Sequence, residues 1–516
     1  MITIKPTKHT HRFLARLVIE AKTPLAVGSG EKDIISDALV ATDVNGLPYI
    51  PGTAIAGVFR SIIDEAMPEK NECGQSITDI LFGFQETKTQ KTLRKEYDKQ
   101  NNPNKVSDKD ASRGSQIIFT EAKILNSKGE VVDGLNIEAL KTDPLLKNYA
   151  ELPIREHVRI SAKGATVGGG KFDEQVVFAG TRFCFEMGMV SDGTNENTFE
   201  QVLEQLQSQT FRIGSGTRCG FGEIEVREIH TAELNLKNDL QSYLNKSSNL
   251  QESSKWPGWK TKKMRSFENN QWIKYELTLQ PEDFFLFGSG FDDDEADITP
   301  VKGKKVVWEN GFGTLKDNFV LIPATSVKGA LAHRVAYYYN KQKGVFADKL
   351  PLDDYKQHVE KHVGKNNDAV RILFGSEGEK IGNEMKNQLR GNLIFSDIIE
   401  KPLQAIDKIL NHVSVDRFTG GAIDGALFSE KVTYGKGEVF TTEILFNEKA
   451  VKCLVEKEKS AKDNAEKEKL NFEGIQEVFE SALKDICTGM LPLGGGVNRG
   501  NGVFIGSVTK NGEPLQ

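Results

Sequence analysis

Cysteine is scarce in this chain. The five among 516 residues (Cys73, Cys184, Cys219, Cys453 and Cys487) include no C-x-x-C pair, which argues against a disulfide framework and against a cysteine-based zinc site. Long apolar runs are missing too: none approaches the ~18 residues a membrane span needs. The first eleven residues, M-I-T-I-K-P-T-K-H-T-H, hold no apolar signal-peptide core. A cytoplasmic protein with no membrane partner is the expectation. Positive charge is not in excess either, since the net charge is −6. Any nucleic-acid binding therefore rests on local patches. Finally, no glycine cluster has the G-x-G-x-x-G spacing that opens a helix in dinucleotide sites, and no P-loop is present, which disfavours a cofactor enzyme.

What the chain has instead is repetition. L-A-V-G-S-G (25–30) returns as L-F-G-S-G (286–290), and I-P-G-T-A-I-A-G-V-F-R (50–60) as I-P-A-T-S-V-K-G-A-L-A-H-R (322–334). The blocks R-I-G-S-G-T-R-C-G-F-G (212–222) and P-L-G-G-G-V-N-R-G-N-G (492–502) close the two halves. The spacing is 260 residues between Gly28 and Gly288, 272 between Ile50 and Ile322, 255 between His157 and His412, and 280 between Gly214 and Gly494. Offsets that wander this little point to a tandem domain duplication with surface-loop insertions. We read a first domain over 1–230, a connection over 231–270, rich in serine and asparagine, and a second domain over 271–516.

Each half reads as α+β. Residues 12–20 and 272–279 alternate as half-buried strands do. After each Ile-Pro step, Thr53 and Thr325 are candidate caps. The helices they would open carry apolar stripes of Ile55, Val58, Phe59, Ile62 and Ile63, and of Val327, Leu331, Val335 and Tyr338. A second strand follows at 115–120 and 391–396. This order predicts a ferredoxin-like fold with long insertions.

The closing loops place an arginine, Arg218 or Arg499, among dense glycines. Glycine lets backbone N–H groups approach an anion, and arginine offers a fork for phosphate, although a purely structural tight loop would look the same. Acids also recur in register. Asp33 and Asp37 lie three and seven residues past Gly30, and Asp293 and Asp297 lie three and seven past Gly290. An aspartate with a pKa near ~3.9 is a feeble base at neutral pH. Holding Mg2+ or Mn2+ is the more natural task, with Asp37 and Asp297 favoured over Asp33 and Asp293.

Other features read as bland. The basic stretches at 88–95, 256–265 and 302–305 fit solvated loops, and His358 and His362 lie on a polar helix face. Residues 455–470 mix both signs of charge as an exposed helix does.

Taken together, the paired G-S-G blocks, the Ile-Pro helix starts, H-V-S-V-D-R-F-T-G-G-A (412–422) and the closing loops resemble the RAMP superfamily. More narrowly they resemble backbone subunits of type III CRISPR effector complexes, the Csm and Cmr assemblies, with two units fused as in type III-D variants. The first half has only H-V-R-I-S-A-K-G-A (157–165) and lacks the Asp-Arg pair. The resemblance implies two ferredoxin-like (RRM-like) palms, each with an inserted β-hairpin thumb. It implies CRISPR RNA, target single-stranded RNA, a large signalling subunit and other RAMP subunits as partners.

By the same resemblance, guide contacts fall on Gly28, Ser29, Arg60, Lys328, Arg218, Arg499, Gly214, Gly216, Gly494, Gly496, His412 and Arg417. Metal-dependent cutting of target RNA falls on Asp37 and Asp297. Two alternatives stay open: a non-catalytic RNA-binding scaffold, and a metal-independent endoribonuclease that processes CRISPR RNA.

Overall fold

The computed structural model describes residues 9–515, apart from 33–35, 68–75, 87–90, 93–94, 97–98, 100–111, 194–195, 264–271, 352, 354, 382–383, 387 and 462–469. In the first half, β1 (His11–Ala21) runs at the sheet centre and α1 (Gly52–Ala66) crosses its face, with α2 (Ile77–Phe82) after it. The edge strands β2 (Ile117–Phe119) and β3 (Lys123–Ile124) come next. A protruding hairpin, β4 (Ile154–Ile160) and β5 (Thr166–Gln175), precedes β6 (Arg182–Ser191), α3 (Glu196–Glu204) and β7 (Ile224–Asn235). The short β8 (Lys260–Thr261) pairs with β7. The sheet order is β2-β6-β1-β7-β8 with antiparallel neighbours, the split β-α-β arrangement of a ferredoxin-like domain.

The second half repeats it. The central strand is β9 (Trp272–Pro281), followed by β10 (Phe284–Phe285) and an inserted hairpin, β11 (Lys302–Glu309) and β12 (Phe312–Ile322). Then come α4 (Ala324–Gln342), α5 (Asp368–Phe374), β13 (Leu393–Phe395) and β14 (Ile398–Glu400). The second protruding hairpin is β15 (Ile406–Val415) with β16 (Ala422–Tyr434). The half ends with β17 (Phe440–Asn447), α6 (Glu448–Ala461), α7 (Phe472–Cys487), β18 (Phe504–Lys510) and β19 (Glu513–Pro514). Its sheet order, β13-β17-β9-β18-β19, matches the first strand for strand.

Apolar periodicity explains the two cores. Ile55, Phe59 and Ile63 of α1 pack on Leu17, Ile19 and Phe185, and Val327, Leu331 and Val335 of α4 pack with Leu277, Phe446 and Phe479. Phe59 and Phe479 are fully buried, and each contributes about 2–3 kcal/mol by leaving water. Both helices start earlier than the threonines Thr53 and Thr325 suggested, directly after Pro51 and Pro323, and neither proline caps by side chain. Proline fixes φ just where a helix begins. For α4 the cap comes from far away: Asp397 Oδ1 accepts the Ala324 N–H at 2.8 Å.

Residues 231–261, which sequence reading placed in the connection, fold onto the first sheet. Residues 231–235 continue β7, and Trp256 is buried against Leu14, Ala232 and Leu234, its indole donating to Ser242 O at 3.0 Å. The basic stretch at 302–305 likewise opens β11 rather than forming a loop.

The halves grip each other closely. Val306 of the inserted hairpin joins the first core and donates its N–H to Ala179 O at 2.8 Å. Trp308 donates its indole N–H to Gly180 O at 2.8 Å, and the Arg182 guanidinium lies 4.2 Å from the centre of its ring. Arg155 pairs with Asp397 at 2.9 Å, both side chains buried. Arg212, also buried, donates to Phe395 O at 3.0 Å and to Ser396 Oγ at 2.8 Å, and burial holds its pKa below the usual arginine value.

Candidate nucleic-acid interface and loop carboxylates

The closing glycine loops and the G-S-G turns form one surface in each half, built by the same bonds. Gly214 and Gly494 adopt left-handed backbone, φ +93° and +91°, and a Cβ on either would lie 2.3 Å from Ala26 O or Leu286 O. The next N–H, from Ser215 or Gly495, donates to those same carbonyls at 2.7 Å. Gly222 and Gly502 donate to Pro24 O and Phe284 O at 2.9 and 2.8 Å. The glycines therefore let the loop lie flat on the chain that enters the turn. Gly216 and Gly496 are left-handed as well, φ +63° and +69°. In the exposed turns, Ser29 Oγ accepts the Glu31 N–H at 3.1 Å and Ser289 Oγ accepts the Phe291 N–H at 3.0 Å; Gly28 and Ser29 are solvent-facing.

The loop acids at the seventh position are fastened to the return strand of the hairpin in both halves. The Asp37 N–H donates to Asp173 Oδ1 at 2.9 Å, and the Asp173 N–H to Asp37 Oδ2 at 3.4 Å. The Asp297 N–H donates to Ser429 Oγ at 3.1 Å, while Asp297 Oδ2 accepts the Ser429 N–H at 2.7 Å and its hydroxyl at 2.9 Å. Those bonds, the backbone N–H foremost, hold the Asp297 carboxyl below the usual aspartate value. Asp293 is depressed too, chiefly by Lys431 Nζ at 2.5 Å, and Lys431 also bonds Glu295 at 2.8 Å. Asp33 lies outside the described residues.

Asp173 is a residue that sequence reading missed. The signal was there: F-D-E-Q (172–175) and F-S-E-K (428–431) lie 256 apart, within one residue of the 255 between the histidines.

At the hairpin base, His157 stacks on Phe172 and His412 on Phe428, ring centres 4.8 and 4.9 Å apart. His412 Nε2 lies 2.9 Å from Glu430 Oε1, a hydrogen bond. His157 Nε2 lies 3.1 Å from Glu174 Oε1, close enough for an ion pair but not aligned as a hydrogen bond. Glu430 is fully buried, and Arg499 Nη2 donates to its Oε2 at 2.5 Å. Burial pushes the Glu430 carboxyl up, and the bonds and charges of Arg499 and then His412 outweigh it, leaving a lowered pKa.

The expected guide-contacting cations divide. Arg417 is exposed at the second hairpin tip, beside a Phe418 that is 98% exposed, in a turn held by Asp416. Arg218 and Arg499 are not equivalents: in register, Arg218 matches Asn498 and Arg499 matches Cys219. Arg218 turns to the second half, donating to Gly391 O at 2.5 Å, and burial pulls its pKa down to about 10. Arg60 donates to Gly83 O and Asp79, each at 3.0 Å. Lys328 Nζ lies 3.3 Å from Cys219 Sγ.

Family comparison matches the RAMP superfamily over residues 18–225 and again over 285–505. The chain belongs to the RAMP superfamily. Its two RAMP units coincide with the two matched stretches. Membership makes it a CRISPR-associated RNA-binding subunit, of a superfamily whose proteins generally bind CRISPR RNA within multi-subunit complexes. No curated protein matches the chain. Among the described residues, no helix is long and apolar enough to cross a membrane.

Proposed function

We propose that the chain is a double backbone subunit of a type III effector complex, binding CRISPR RNA and cutting complementary target RNA once per RAMP unit. It would work beside other RAMP subunits and a large signalling subunit. One observation carries this reading. The seventh-position aspartate is tied to the same place on the hairpin return strand in both units, although Gly28 and Ile50 are 22 residues apart and Gly288 and Ile322 are 34. A generic solubilising acid has no reason to keep such an attachment through the insertion of β11 and β12.

The donor set fits a hard divalent cation. Asp37 with Asp173, and Asp297 with the nearby Asp293, offer carboxylate oxygens. Among the described residues no three acidic, histidine or cysteine side chains converge. Mg2+ or Mn2+ would thus take one or two protein carboxylates, with water and RNA phosphate completing its shell. When bound, such an ion supplies an activated oxygen nucleophile and stabilises the leaving oxygen. The chain's own residues have other tasks. Ser429 keeps Asp297 ionised and aimed, and the hairpins set where the RNA backbone crosses each loop.

The test is cleavage mapping on a long target RNA with the guide-loaded complex, comparing wild type, Asp37→Ala and Asp297→Ala, in Mg2+ and in chelator. Each substitution is expected to delete one discrete cut, and chelator to abolish both. If neither substitution alters the pattern while RNA stays bound, the chain is scaffold. Cutting that persists in chelator would instead indicate metal-independent processing chemistry.

A further inference from the structure

The hairpin return strand serves two loops at once, because side chains along a strand alternate between faces. In β16, Ser429 and Lys431 hold the Asp297 loop, at 2.7 Å to Asp297 and 2.5 Å to Asp293. Between them Glu430 faces the other way. It accepts from Arg499 at 2.5 Å and Asn501 at 3.3 Å, both in the closing loop, and from His412 of β15 at 2.9 Å. In β5 the pattern recurs with different side chains. Asp173 holds Asp37, Gln175 Oε1 accepts the Val40 N–H at 3.1 Å, and Glu174 meets Ser215 Oγ of the closing loop at 3.3 Å and His157 at 3.1 Å.

The partners change between units, from serine to arginine in the closing loop, yet the glutamate stays. A buried carboxylate is costly unless paired, so pinning a hairpin base does not by itself call for one. What a carboxylate adds is an acceptor that an incoming anion displaces or competes with at the same donor. An RNA phosphate arriving at Arg499 would share the five N–H donors of that guanidinium with Glu430.

We propose that Glu430, and Glu174 in the first unit, is a positioning residue that couples occupancy of the closing loop to the placement of the carboxylate loop. The coupling runs through the adjacent Ser429–Asp297 and Asp173–Asp37 bonds. It rests on the reading above, in which the closing loop meets the guide and Asp37 and Asp297 serve cutting.

Glu430→Gln keeps the shape and removes the charge. The measurement is backbone hydrogen exchange at Asp297, Ile298 and Lys431 in the purified subunit and in the guide-loaded complex, alongside cut mapping. In the wild type, guide loading is expected to slow these amides about tenfold, and in Glu430→Gln that slowing falls below about twofold. The Asp297 cut should weaken about tenfold and the Asp37 cut should stay unchanged. Full guide-dependent slowing in Glu430→Gln would overturn the coupling, because a merely structural glutamate changes the baseline and not the response to guide. If Asp297→Ala leaves its cut intact, the cutting reading fails, and the exchange data still decide the coupling. Should Glu430→Gln loosen the hairpin base without guide, seen as fast exchange at Val413 and Leu427, Glu174→Gln decides by the same criterion at Asp37 and Val40.

Discussion

Arg155→Ala removes the cation of the buried pair that joins the two RAMP units. Arg155 lies on β4 of the first unit and Asp397 between β13 and β14 of the second, 2.9 Å apart, with side chains 9% and 1% exposed. Deleting one partner of a buried pair costs about 3–5 kcal/mol, because the other charge is left without compensation. Asp397 retains the Ala324 N–H at the N-terminus of α4, at 2.8 Å, which offsets about 0.5–2 kcal/mol. The expected loss is therefore at the low end, about 3 kcal/mol, or a fall in Tm of about 6–12 °C for a unit of this size. Urea titration followed by circular dichroism would measure it, with Asp397→Asn and the double variant closing a cycle. Asparagine can still accept the Ala324 N–H, so the double variant should recover about 1–3 kcal/mol relative to the sum of the singles. A loss below about 1 kcal/mol for Arg155→Ala, or strict additivity, would refute the claim that this pair locks the units together.

Gly494→Ala puts a methyl 2.3 Å from Leu286 O at a φ of +91°, whereas Gly420→Ala, at φ +71° on the hairpin tip, meets no atom within 4 Å. The first should cost at least about 2 kcal/mol and the second no more than about 1, by urea midpoints, and equal losses would contradict a packing role for the closing loop. The Asp297 carboxyl should titrate below the ordinary 3.8, because the backbone N–H and then the hydroxyl of Ser429 stabilise its charged form. The sign follows from that. Its attachment to β16 is complete above the unfolded value and is lost only as pH falls through the lower folded value, so the second cut should not track Asp297 ionisation between about pH 5 and 7. Carboxyl carbon NMR would read the midpoint, which Ser429→Ala should raise; a wild-type midpoint at or above 3.8 would defeat the assignment.

Much of this was legible in the sequence because duplication turns one chain into its own comparison. The stripes of α1 and α4, the strand pair at 117–119 and 393–395, and the register of Asp37 with Asp297 all follow from local period and offset. What local pattern cannot carry is a partner hundreds of residues away. The cap on α4 comes from Asp397, so Thr325 looked like the better candidate although the helix starts before it. Trp256 read as part of an exposed basic stretch because its partners, Leu14 on β1 and Ala232 and Leu234 on β7, are far from any helical or strand period of its own segment. Arg218 reads as phosphate-binding from its glycine company, and no local pattern could show that its guanidinium also donates to the Gly391 carbonyl of the other unit.

Because the side chains diverge between the units on a conserved backbone, the duplication is not simple redundancy. The backbone frame is common: the Ile298 N–H donates to Ser429 O and the Lys431 N–H returns to Ile298 O, while the Gln175 N–H donates to Ala38 O at the matching position. On that frame the first unit sets two carboxylates against each other, Asp37 and Asp173. The second sets a serine against Asp297 and a lysine against Asp293 and Glu295. Lys431 bridges two acids of the second loop with a single charge, and D-D-D-E-A-D (292–297) stays more negative than Asp37 with Asp173, so a polyanion meets like charge at either loop. Under the proposed cutting role, each loop would therefore need a divalent ion before RNA backbone could cross it, the second no less than the first.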